Sequence, residues 1–460
     1  MAAKLIPADR DTKLYLHIDP QHYNPRALES LTEDIIHQLE KKIYKNYDIG
    51  LVQRVVAEKR FGENVLLIEG KLPEEGHDGY IKYNFDIHKE EFLTFEKMLK
   101  SGQESIAVEE ILTRVKKGEV LAEVIPPQEG KNGVDIYNNT IKAKEVSGVS
   151  LNIGKNVVFS EDKTKAIASL DGIVFMDKEK ICVDPLTEIK AVTDKEFKVE
   201  GALIISAALS RDTKVTATGT VIVQATVSDA HIESGRHILI GGGILSNGSL
   251  KAKGDVLVLF SDQSAIQGNH IFLRDHLFNS KVTAFGGIDL IGGKGVIIGG
   301  EIHSYGTINV LVLGSEKAAE TKIVLGLTAK ELDEKGYLTA ECVSLKNKMK
   351  AYAQQVEQYK KLVVQKQKLG APVPVDLKNK LMSIQKEAVT FINDAVEQMK
   401  SKSEKVDYYN KLFDRALKAS INVRAEVYSG VRLNINGKLL EIYKVLTNKA
   451  FRLEGHVIVY

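Results

Sequence analysis

Between Phe197 and Val310 the apolar residues return in one short pattern: a small or apolar side chain, another at +2, often Gly at +4, then apolar residues at +6 and +8. Phe197, Val199, Gly201, Leu203 and Ile205 form the first copy, and Val215, Ala217, Gly219, Val221 and Val223 the second. A third runs through Ile232, Ser234, Ile238 and Ile240 with its glycine at Gly235, and a fourth through Leu250, Ala252, Gly254, Val256 and Val258. A weaker copy ends on Ile271 and Leu273, followed by 282–290 and 302–310. Alternation at period two is the signature of a strand with one apolar face, and such a strand cannot bury that face alone. Repetition every 15 to 20 residues therefore predicts a solenoid, a parallel β-helix with one strand-rich coil per repeat and glycine at its corners. The six-residue steps Val215, Val221, Val227 and Ile238, Ile244, Leu250, Val256 also suit a left-handed hexapeptide coil, so spacing leaves the hand open.

The flanking segments follow other periods. Leu14, Leu16 and Ile18 predict a strand, and a helix beginning near Pro25 carries Leu28, Leu31, Ile35, Ile36, Leu39 and Ile43 on one face. Val52, Val55–Val56 and Val65–Ile68 read as an antiparallel strand pair turning near Gly62. From Leu338 the period becomes a heptad through Cys342, Leu345, Met349, Tyr352, Val356, Tyr359 and Val363. Gly370-Ala-Pro-Val-Pro374 breaks it. A second seam runs through Leu377, Leu381, Ile384, Ala388, Phe391 and Ala395, loses phase near 400–403, and resumes at Val406, Tyr409, Phe413 and Ala416. Two similar arms joined by a short break predict an antiparallel coiled-coil hairpin, each arm ~60 Å long at 1.5 Å per residue. The strand code then returns at Ile421, Val423, Ala425 and Val427 and at Val431, Leu433 and Ile435. Phe451, Leu453, Gly455, Val457 and Val459 repeat the Phe197 pattern, so the hairpin reads as an insertion after which the chain rejoins and caps the β-helix.

The fold class expected is multidomain α+β. An N-terminal α+β domain occupies 1–100, a β-rich, barrel-sandwich-like segment 101–190 and the β-helix 191–327. The hairpin covers 328–419, and the rejoining strands 420–460. Across the 460 residues, 43% hydrophobic and 27% charged content describes a soluble globular chain, and a net charge of +2 predicts no general attraction to nucleic acid or membranes. Two cysteines in unlike regions suggest free thiols in a reducing compartment. The start lacks a signal-peptide run and no stretch of 18 apolar residues occurs, which points to the cytoplasm and against a membrane span.

His77 and Asp78 in Glu75-Gly-His-Asp-Gly79 suit metal ligation or acid/base work, but a tight turn capped by its own aspartate explains them better. Gly130-Lys-Asn-Gly133 lacks the ending and following helix of a phosphate loop and reads as a plain loop after Pro126-Pro127. The turn at Lys116-Lys-Gly-Glu119 resembles biotinyl/lipoyl domains, with Lys178 in Met176-Asp-Lys178 the nearest match to a modified lysine. Consecutive glycines at 241–243, 286–287, 292–293 and 299–300 read as corners, since no helix follows them. His231, His237, His270, His276 and His303 fall in the β-helix, where hexapeptide acyltransferases use a histidine base. None has a carboxylate-rich setting in sequence, and Asp255, Asp262, Asp275 and Asp289 do not group. Residues 328–419 hold 18 Lys/Arg against 12 Asp/Glu, and Lys360, Lys361, Lys366, Lys368, Lys378 and Lys380 gather near the break. That run is either a solvated face or a dock for an acidic partner or nucleic acid. No aromatic platform accompanies it, so nucleic acid is the less expected partner.

The order of motifs resembles the flagellar assembly protein A family. It is carried by Gly76-His-Asp-Gly79, Pro126-Pro127, Gly130-Lys-Asn-Gly133, Asp135, Asp171-Gly172, the Gly-punctuated repeats, 293–302, Leu313-Gly-Ser315 and Thr321-Lys-Ile-Val-Leu-Gly326 ahead of the hairpin. The resemblance implies a right-handed β-helix similar to the carboxy-terminal domain of the division inhibitor MinC and a role in flagellar assembly or placement, in a family whose members are not known as enzymes; no cofactor or metal is expected from the residues. The reading that results is a cytoplasmic scaffold, a homodimer by default, whose hairpin reaches a protein partner.

Overall fold

The computed structural model describes residues 3–22, 28–89, 97, 108–210, 212–290, 292–369 and 372–460. Pro25, at the expected helix start, and Gly370 in the break between the arms lie outside the described residues. The chain forms two compact units that interleave in sequence: 1–85 with 117–169 and 176–182, and 86–116 with 170–175 and 183–460.

In the first unit, β1 (Ala3–Ala8), β2 (Lys13–Ile18) and β3 (Asn64–Glu69) make an antiparallel sheet in that order. Its core takes Leu14, Leu16 and Ile18 from β2 together with Ile35 and Leu39 of α1 (Leu28–Lys41). Ile43 lies beyond that helix, 68% exposed and with φ of 62°. The strand expected at Val52–Val56 is instead α2 (Ile49–Ala57). Val52, Val55 and Val56 stand at i, i+3 and i+4, which buries all three on one helical face, and Asp48 caps the helix by accepting the Gly50 N–H at 2.8 Å. β3 consequently pairs with β2, Leu16 opposite Val65. A second antiparallel sheet in this unit orders Tyr80–Tyr83, Val120–Ile125, Lys165–Ala168 and Val157–Phe159.

The second unit is a parallel β-solenoid with three columns of strands. One column stacks Leu203, Val221, Ile238, Val256, Ile271, Ile288, Ile308 and Ile421 in register, eight coils deep. A second stacks Val215, Ile232, Leu250, Ile266, Val282, Ile302, Ile323 and Leu433. Val227, Ile244, Ser261, Leu277 and Ile297 stack on the third side. These inward side chains form one continuous core. The strand after the helical hairpin pairs directly with the strand before it, Ile308 opposite Ile421 and Val310 opposite Val423, so the hairpin is an insertion within one coil. Of the repeat glycines Gly201, Gly219, Gly235 and Gly254, only Gly201 takes left-handed backbone, with φ of 91°, whereas a Cβ at Gly235 would collide with the Thr218 carbonyl of the preceding coil.

The two exposed-face patterns differ. On the second column, Lys214–Ala217 alternates exposed and buried, so its outer face is wet. On the first column, Val221–Val223 and Ile238–Ile240 are buried at every residue. Their middle side chains form an outward row, Ile204, Ile222, Leu239, Leu257 and Phe272, covered by Ile111, Leu112 and Ile173. The row turns polar at Asp289, Asn309 and Asn422, where Asn309 donates to Asp289 at 2.7 Å and Asn422 to Asn309 at 2.8 Å.

The carboxy-terminal repeat is not a further coil. Leu446–Glu454 runs antiparallel to Ile421–Val427 with Phe451 opposite Ile421, and Lys438–Glu441 runs antiparallel to Val431–Ile435. Folding back in this way gives the last parallel edge a partner, which a coil in the same sense would only have moved along.

Candidate functional site

The two helices α3 (Ala329–Lys368) and α4 (Val375–Leu417) leave the solenoid from a built base. Thr328 and Glu331 form a reciprocal capping box at the start of α3. Tyr305, projecting from the solenoid, donates to the same Glu331 at 2.5 Å. Burial pushes Glu331 up, but the hydrogen bonds from Tyr305 and Thr328 outweigh it and hold the carboxyl below its ordinary 4.5. Leu327, Tyr409, Leu412 and Tyr305 are buried together, with Phe285, Leu332, Leu338 and Phe413 packed around them. Arg415 donates to the Phe285 carbonyl. Asn436, just past the strand Val431–Ile435, accepts the Leu327 N–H at 2.9 Å, so the entry of the arm is tied to the last coil.

Along the arm Ala388, Ala395, Tyr409, Leu412 and Ala416 of α4 are buried, and Tyr352 meets Phe391 with ring centres 5.0 Å apart. The phase loss near 400–403 is occupied by Lys402, whose ammonium pairs with Glu341 of α3, while Lys405 and Tyr409 both bind Glu334. A seam of small residues and lysine–glutamate pairs explains why heptad reading missed Leu412. Lys360, Lys361, Lys366, Lys368, Lys378 and Lys380 are all exposed, and among the described residues none of the six makes an ion pair. Between Glu357 and Glu387 seven lysines face one acid, Asp376.

The histidines correct the sequence reading. His270 donates to Asp289 at 2.8 Å, and His276 to Asp262 at 2.9 Å. His237 accepts the Asp255 N–H on Nδ1 at 2.9 Å, with the Asp255 carboxylate 3.7 Å away. Each partner lies one coil away, so stacking supplies carboxylates that adjacent sequence does not. Burial pushes His237 down to about 4, against the pull of Asp255. Among the described residues no group of three or more His, Cys, Asp or Glu is placed to hold a metal ion. His231 alone of the five lines a trough of about 500 Å³ on the wet face, with Lys214, Glu233, Ser249, Lys251 and Lys281, and its Nδ1 lies 2.7 Å from Ser249 Oγ.

The loop motifs are structural contacts. Asp78 does not cap its own turn; it accepts the Ser147 N–H at 2.7 Å and the Ser147 hydroxyl at 3.2 Å. Residues 71–77 and 128–134 run as paired extended chains through Lys71–Val134, Glu74–Lys131 and His77–Gln128. A Cβ at Gly130 would collide with the Glu74 carbonyl and one at Gly133 with the Lys71 carbonyl, which is why this pair needs glycine. Asp135 accepts the N–H groups of Tyr137 and Asn139 and ends the segment. Lys178, with φ of 57°, sits in the turn between Gly172–Asp177 and Lys180–Ile189.

No helix among the described residues is long and apolar enough to cross a membrane. No curated protein and no solved structure matches the chain. Residues 6–179 match the family described as Flagellar Assembly Protein A N-terminal region. Residues 196–458, more than half of the chain, match the Flagellar Assembly Protein A beta solenoid domain. The chain belongs to the flagellar assembly protein A family.

Proposed function

We propose that this protein is a non-enzymatic cytoplasmic scaffold of flagellar assembly or placement, with the solenoid as a platform and the α3–α4 arm as the element that reaches a protein partner. The observation that carries the reading is the end of the arm, where six exposed lysines that make no ion pair among the described residues stand far from a base fixed by Tyr305, Glu331 and Asn436. Unpaired cations at an accessible tip attract an acidic protein surface, and a fixed base sets where that partner is held. In the full chain, Lys360→Gln, Lys361→Gln, Lys366→Gln and Lys368→Gln together are expected to abolish crosslinked capture of an acidic partner and leave the melting temperature unchanged. Capture that survives the four substitutions overturns the tip reading. Nucleic acid at the same tip would show instead as binding that weakens steeply with salt. Self-association as a dimer belongs to the same proposal and is read by sedimentation.

The trough around His231 favours a second reading, a ligand-binding or acyltransferase-like solenoid. A thermal-shift screen with acyl-CoA and nucleotides decides it, since a ligand bound only by the folded chain raises its melting temperature.

A further inference from the structure

The outer face of α4 carries an apolar stripe that the hairpin does not use. Val375, Met382, Val389 and Val396 stand seven residues apart and are 71%, 67%, 59% and 54% exposed. The stripe runs about 32 Å along the helix at 1.5 Å per residue. Chance exposure of single apolar residues is ordinary, but four at one heptad position make a line that another helix can pack against.

Charge beside the stripe is one-sided. At about 100° per residue, Lys378, Lys386 and Lys400 fall within about 60° of it, whereas Asp376, Glu387, Asp394 and Glu397 all lie about 80° or more away. The three lysines are exposed and among the described residues make no ion pair. Gln385, Ile392 and Met399, at the heptad position of Lys378, are half-buried, so the stripe borders a side of α4 that is partly covered. A second copy of α4 would bring the same lysines against each other, which disfavours self-pairing here. A lipid surface suits a broad face with Trp, Phe or Leu, whereas this one is a single residue wide and mainly valine.

We propose that this face of α4 docks an amphipathic helix of a partner protein, with apolar residues at heptad spacing and Asp or Glu beside them, to form a three-helix coiled coil. The proposal rests on the arm being the partner-binding element and names the surface and the chemistry of what it binds.

The test uses the full chain and two synthetic helical peptides of about four heptads, one flanked by Glu and one by Lys, followed by fluorescence anisotropy at low and raised salt. The Glu-flanked peptide is expected to bind, more weakly as salt rises, and the Lys-flanked peptide to fail. Met382→Glu with Val389→Glu removes two apolar contacts and sets like charge against the Glu-flanked peptide, and should weaken binding about tenfold or more, with Val389→Gln as a milder variant and helical circular dichroism as the folding check. Equal binding of both peptides, binding of neither, an unaffected Glu variant, preference for anionic vesicles, or concentration-dependent self-association lost in the Glu variant would each overturn it. The four tip substitutions serve as the separating control. If they leave capture of an acidic partner intact while the Glu variant loses the peptide, the tip reading fails and the stripe stands.

Discussion

His237 is the residue where stacking changes chemistry most. Its Nδ1 accepts an amide proton from the next coil, so the folded state holds the imidazole neutral and its folded value, about 4, lies below the ordinary 6.5. The unfolded chain therefore binds more protons between those values, and the stabilising contribution is complete above about pH 6.5 and lost as pH falls toward 4. Thermal melting is expected to drop across that window in the native chain and to drop less in His237→Gln; equal slopes would refute a neutral buried role. Sequence inspection could not reach this, because Asp255 is 18 positions away and only the register of the coils brings it near. The glycines of the 76–79 and 130–133 motifs were legible as special positions, but their reason, two chains too close for a Cβ, needed the second chain.

At the scale of the element, the hairpin was visible in sequence as two heptad runs around Gly370–Pro374, and both helices form at the expected length. What sequence did not show was its attachment. Tyr305 precedes α3 by more than twenty residues and holds its first turn through Glu331. Tyr305→Phe removes one bond to a charged group and Thr328→Ala one side of the capping box, each expected to cost about 1 kcal/mol at the base. Faster amide exchange at residues 329–332 would report it. Since Glu331 titrates below 4.5 when folded, its contribution is present above that value and is lost as pH falls through the depressed one. Acid should loosen the base in the native chain and have less effect in Glu331→Gln. The strand reading of Val52–Val56 failed for a local reason, because valine favours strands by propensity while the i, i+3, i+4 spacing and the Asp48 cap favour a helix, and burial sided with the spacing.

For the whole molecule, the consequential feature is that one solenoid face is covered and another is wet. Leu239 points away from the coil interior yet is fully buried, so Leu239→Ala should cost about 2–5 kcal/mol in chemical denaturation. Thr216, outward on the wet column, should tolerate Ala within about 0.5 kcal/mol. Similar costs at the two sites would contradict the covering layer. The middle residues of the strands carry the signal, apolar from Ile204 to Phe272 and then Asp289, Asn309 and Asn422, whereas a period of two marks only the alternate, inward positions. The sequence by itself determined the coil period, the inward residues, the inserted hairpin and the basic tip, because each is a local spacing repeated along the chain. Tertiary structure alone decided the histidine–aspartate pairs, the antiparallel cap, the covered face and the unpartnered stripe on α4. Each of those depends on which residues stacking and register bring together, and separation along the chain does not encode that.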